Sequence, residues 1–140
     1  MRRLPSVLAG LLLVSFSIVA AGQITNSLVF ETTFAFYAGK AKLPAGSYRV
    51  SPVGNSENLL QIESMDGAHS AFLEFTPTQA ENPHRQSDVT FKKYGQVDFL
   101  NLLWVQGQTS GMEILPTKAE KMAAKTGTAT RHSLPVKGGG

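Results

Sequence analysis

Three histidines, His69, His84 and His132, are the side chains best suited to proton transfer or metal binding near neutral pH. None is spaced from another as His-x-x-x-His, the pattern that sets two imidazoles on one helical face. A metal site would need His69 and His84 to converge through folding with Asp66, Glu81 or Asp88; surface loop histidines are the plainer expectation, and no metal is predicted. No serine occupies a G-x-S-x-G elbow. A Ser-His-Asp triad can assemble from any spacing, but nothing here raises one above background. Glu63, Glu74, Asp98 and Glu113 are candidates for a carboxylate pair of the glycosidase kind. Each falls on a strand or beside a turn, where a solvated charge is ordinary. Asp98 shares a strand parity with Leu100, Leu102 and Trp104, and its place near the strand start is expected to keep it wet. No glycine-rich loop leads into a helix to cradle a phosphate. Neither catalysis nor a cofactor is predicted.

Binding is a different matter, because Trp104, Tyr94, Tyr37 and Phe72 are rings on which a sugar or an apolar ligand could rest. Trp104 belongs to the most apolar run after residue 22 and is assigned to the core. Phe72 alternates with Glu74, opposite Ala71, Leu73 and Phe75, and is the ring expected to face solvent. Phe72, Tyr37 and Tyr94 are therefore the candidate ligand-binding residues. Lys92-Lys93 and the basic tail could touch anionic polymers, although a solvated edge explains them as well, and lysines on an edge discourage sheet-to-sheet association.

These side chains are positioned by strands. Residues 97–105 (VDFLNLLWV) are apolar on both parities, the mark of a strand covered on both faces. Residues 28–38 (LVFETTFAFYA) alternate, with Phe30, Phe34 and Phe36 on one side. Leu43-Pro44-Ala45-Gly46 is a turn, because Pro44 presets φ for its first central position. Tyr48 and Val50 continue as a strand that Pro52 ends. Asp66-Gly67 joins 59–63 (LLQIE) to 70–75 (SAFLEF) as a hairpin. Residues 76–87 (TPTQAENPHRQS) form the longest polar, proline-containing stretch and the first place to seek a site on a loop. About seven antiparallel strands separated by turns predict an all-β domain, a small sandwich or barrel. Thr117 and Glu120 have capping-box spacing for a short helix over 117–126. Residues 127–140 lack periodicity and are expected to be a disordered basic tail.

The beginning of the chain has another character. Met1-Arg2-Arg3 is basic, residues 6–19 are apolar and uncharged, and Val19-Ala20-Ala21 supplies small residues for cleavage near Ala21 or Gly22. Residues 1–22 are thus expected to be a secretory signal peptide, leaving a β-domain over 23–116. The chain has no cysteine, so neither a disulfide nor a thiolate metal site can support that domain. No later run is long enough to span a bilayer, for which ~20 apolar residues are needed. Charge is uneven. Six basic and nine acidic residues fall between Gly22 and Pro116, whereas five basic residues and only Glu120 follow. A faintly acidic body with a basic tail excludes the basic folded face of a nucleic-acid binder.

Four stretches together resemble a family of small exported bacterial β-proteins. They are the signal peptide, Phe34-Ala-Phe36 with Leu43-Pro-Ala-Gly46-x-Tyr48-x-Val50, then Phe91-Lys-Lys-Tyr94-Gly95 with Phe99-Leu100 and Trp104, and finally Gly111 with Leu115-Pro116-x-x-x-Glu120. The likeness runs from Phe34 to about Lys121; the thinner helix and glycine-ending tail depart from it. The resemblance implies export and a β-fold, with no site and no assigned activity. The resulting expectation is an exported, non-enzymatic structural or binding module, periplasmic or extracellular. Its partner would belong to the envelope, a polysaccharide or another protein. A glycan or small apolar ligand binder and a small hydrolase are the alternatives.

Overall fold

The computed structural model describes residues 27–139, so the expected signal peptide lies outside the described residues. In chain order the strands are β1 (Leu28–Thr32), β2 (Phe36–Ala38), β3 (Ala41–Leu43), β4 (Gly46–Pro52), β5 (Leu59–Ser64), β6 (Ser70–Gln79), β7 (Asp88–Tyr94), β8 (Val97–Trp104), β9 (Ser110–Ile114), β10 (Thr130–Pro135) and the two-residue β11 (Gly138–Gly139). One helix, α1 (Lys118–Ala124), lies between β9 and β10. Hydrogen bonding links the strands in the order β10-β7-β8-β9-β6-β5-β4-β1-β11, with β2 joining β3 and β8 off this path. The protein is mostly β with a short helix, and the sheet is open and mixed.

Two expectations are corrected here. The described residues form ten strands of three or more residues, against about seven expected, and these are not all antiparallel, since β2 meets β8 in parallel at Tyr37 and Phe99. The extra strands arise where one sequence run breaks. Thr32 is buried, and its hydroxyl donates to the Phe34 carbonyl at 2.9 Å while accepting from the Gly46 amide at 3.4 Å. That local bonding competes with continuing the strand, so β1 pairs with β4 and the chain then turns to pair β2 with β8. Residues 39 and 40 make a tight turn from β2 into β3, entered through Gly39 at φ 61°. The polar stretch at 76–87 begins as the second half of β6, so its loop is confined to residues 80–87.

β6 joins two groups of strands. Its first half pairs with β5 and its second half, from Phe75 onward, with β9. A single core draws on β1 through β9, so the open path wraps around one interior. Phe30, Phe36, Tyr48 and Phe91 meet there, with tilted or edge-on rings 5.2–6.1 Å apart.

β8 is the interior strand its composition calls for. Leu100, Leu103 and Trp104 are all buried. Strict alternation would put Leu100 and Leu103 on opposite faces, yet both join the core. A bulge explains this. Phe91 lies opposite Leu100 and Thr90 opposite Leu102, so Asn101 is an extra residue that resets the parity. Beyond it Leu103 points to the core beside Val89, while Phe99 and Trp104 are covered by side chains on the other face.

The chain end also departs from expectation. Residues 127–140, expected to be disordered, supply β10 along the edge of β7 and β11 beside β1. Between them the Val136 amide donates to the Ser87 carbonyl at 3.0 Å and the Lys137 amide to the Val29 carbonyl at 2.6 Å. The tail thereby straps the two ends of the sheet path. What orders it is pairing with otherwise bare edges, a signal absent from its own composition.

Candidate functional site

The side chains with chemical potential fall into four places. The first is the loop over 80–87. His84 lies flat on Trp104, ring centroids 4.4 Å apart and planes within 9°. The loop is pinned by paired backbone bonds, His84 N–H to the Gln108 carbonyl at 3.1 Å and Gly107 N–H to the His84 carbonyl at 2.9 Å. Trp104 in turn needs Gly111 opposite it, because a Cβ there would sit 2.6 Å from the indole Cε3. His84 Nε2 stands 3.8 Å from Asp88 Oδ2, a charge contact too long for a hydrogen bond. Burial raises the Asp88 carboxyl above its ordinary pKa, and His84 partly offsets this. Asp88 Oδ1 has no hydrogen-bond partner among the described residues.

The second place is a pair that sequence reasoning missed. Asp98, expected to be wet, is 4% exposed, and its Oδ1 lies 2.6 Å from His132 Nε2 on β10. The His132 ring stacks on Phe91 at 5.5 Å and tilts against Phe34 at 5.1 Å. Its place near the strand start does not keep Asp98 wet, because β10 from the tail lies close enough to bring His132 against it. A carboxylate at this depth needs such a hydrogen bond to remain buried. Thr90 on β7 and Ser133 on β10 add a hydroxyl pair at 2.9 Å. The pair of Asp98 and His132 ties β10 to β8.

The third place holds two of the candidate ligand residues. Tyr37 stacks on Phe99 at 5.0 Å, and Tyr94 meets the same ring edge-on at 5.7 Å. The Tyr94 hydroxyl donates to Glu120 at 3.1 Å, and burial, then that carboxylate, raise its pKa. Thr117 caps α1 by accepting from the Glu120 amide at 3.3 Å. The Glu120 carboxylate, expected to complete the capping box, meets Tyr94 instead. Tyr37 and Tyr94 are thus half-buried and committed to Phe99.

The fourth place is Phe72, the third candidate residue. It is 61% exposed and packs on no aromatic ring among the described residues. It lines a groove of about 650 Å³ with Lys40, Ser70, Glu74, Leu115 and Thr117. The structure therefore brings Tyr37 and Tyr94 onto one ring and leaves Phe72 apart from both. His69, also considered, is exposed in the β5–β6 turn, where its amide donates to Ser64 Oγ at 3.0 Å. No cluster of three His, Asp or Glu side chains suited to a metal ion occurs among the described residues. No helix among them is long and apolar enough to cross a membrane.

No protein-family model, curated protein or solved structure matches the chain.

Proposed function

We propose that this is an exported, non-enzymatic β-domain that acts as an envelope-associated or extracellular binding module. Export is supported by the basic, apolar and small-residue order of residues 1–22. It is also supported by the likeness to small exported β-proteins. The observation that carries the binding role is Phe72. A large ring left 61% exposed, on a strand whose neighbouring Leu73 is fully buried, is not needed for the core. The motif residues behave differently. Gly111 makes room for Trp104, Glu120 receives Tyr94, and Leu100 fills the interior. They account for the packing of the frame and leave the function to groove residues outside the motifs.

The test has two parts. Mass spectrometry of the protein from producing cells should find a chain that begins near Ala21 or Gly22 in the exported fraction. The purified protein should then co-sediment with the insoluble envelope fraction. A cytoplasmic chain that retains Met1-Arg2-Arg3, or an exported chain that never pellets with envelope material, would count against the proposal.

A further inference from the structure

Resting on that reading, we infer that the groove beside Phe72 binds an uncharged oligosaccharide, one sugar ring lying on Phe72 and its hydroxyls shared between Glu74 and Lys40. The groove is built on β6. On one side the turn at Gly39 approaches so closely that a Cβ there would lie 3.2 Å from Leu73 Cδ2 and 3.3 Å from the Phe72 carbonyl, and the next residue, Lys40, lines the groove. On the other side the Leu115 amide donates to the Glu74 carbonyl at 2.9 Å, which holds the Leu115–Thr117 wall against the strand. The walls therefore hang on the backbone of the two residues, Phe72 and Glu74, that present the ring and the carboxylate. A volume of about 650 Å³ lies within the range of small-ligand sites, about 300–1,000 Å³.

The choice of ligand follows from the lining. Glu74 and Lys40 face the same groove, and neither forms a salt bridge or side-chain hydrogen bond among the described residues. An anionic ligand would meet Glu74 unfavourably, and a cationic one Lys40. An acyl chain would strip water from both charges and from the Ser70 and Thr117 hydroxyls without replacing it. A neutral sugar serves all of them. Its hydroxyls donate to the carboxylate and accept from the ammonium, while its C–H face meets the electron-rich face of the phenyl ring. Phe72 supplies that flat surface at little entropic cost, because it turns about only two side-chain torsions.

The inference is tested by NMR titration of the exported protein with cellotriose and with the N-acetylglucosamine trisaccharide, with decanoate as the acyl control. Saturable shifts at Phe72, Glu74 and Leu115 with either sugar are expected. Phe72→Ala should weaken that binding about tenfold or more, as the loss of a stacking ring does, and Glu74→Gln by less, with the folded spectrum intact in both. The inference is overturned if neither sugar shifts these residues, if Phe72→Ala leaves sugar binding unchanged, or if decanoate alone occupies the groove. The envelope sedimentation assay separates this from the broader proposal. Envelope binding without sugar binding defeats the saccharide assignment only, whereas loss of envelope binding in the wild-type protein defeats both.

Discussion

β7 has two neighbours of opposite character. On one edge runs β8, apolar on both faces and recognisable from its own residues. On the other runs β10, Thr130–Pro135, a polar strand mostly open to solvent along its length. β8 is held by burial, because its leucines would be strand-like and interior beside almost any partner. Beyond its backbone pairing with β7, β10 is held by a few side chains: His132 against Asp98, Phe91 and Phe34, Ser133 against Thr90, and Leu134 against the core. Strength spread over many apolar contacts is hard to remove with one substitution. Strength concentrated in a few polar contacts is easy to remove, and its loss is local.

The contrast predicts unequal responses. Leu103→Ala, at a fully buried site on β8, should cost about 2–5 kcal/mol of global stability in chemical denaturation, the usual range for truncating a core leucine. Gly111→Ala drives a methyl into the Trp104 indole and should cost about 1–3 kcal/mol by overpacking, with a changed tryptophan emission spectrum. His132→Ala leaves Asp98 buried without its partner. It should cost about 1–3 kcal/mol, with faster amide exchange concentrated in β10 while β8 stays protected. If that substitution loosens β8 and β10 equally, the two neighbours of β7 are not distinct in the way described.

A smaller effect concerns the start of β7. Burial raises the Asp88 carboxyl, so the folded protein holds its proton to higher pH than the unfolded chain does. The group therefore favours folding while protonated, and stability falls as pH rises from the unfolded value near 3.8 through the raised folded one. Asp88→Asn should stabilise the protein at pH 7 and lose that advantage toward pH 3, as followed by thermal melting across pH. Phe72→Ala should change stability least, within about 0.5 kcal/mol, because the ring is exposed.

What the sequence disclosed follows the same division. The interior strand, the Asp66-Gly67 hairpin and the Thr117 cap each carry their cause within a few residues. Asp66 accepts from Ser64 Oγ at 2.6 Å and from the Ala68 amide at 2.9 Å, all inside one turn. The exposure of Phe72 was likewise readable from alternation. The misreadings concern relations between distant positions. Asn101 interrupts alternation only because β7 is one residue shorter across from it. Asp98 is buried only because a tail strand arrives 34 residues later to meet it. His84 reads as a loop histidine until Trp104 lies beneath it. The groove is half legible, since Phe72 was visible while the walls carrying Lys40 and Thr117 come from elsewhere in the chain.

Residue-resolved hydrogen exchange on the exported protein tests the contrast most directly. The account predicts that the Leu100–Trp104 amides exchange only through global unfolding, and that the β10 amides are protected in the wild-type protein and released selectively by His132→Ala. Coil-like exchange of β10 in the wild-type protein, or exchange of Leu100–Trp104 as fast as the loops, would contradict it.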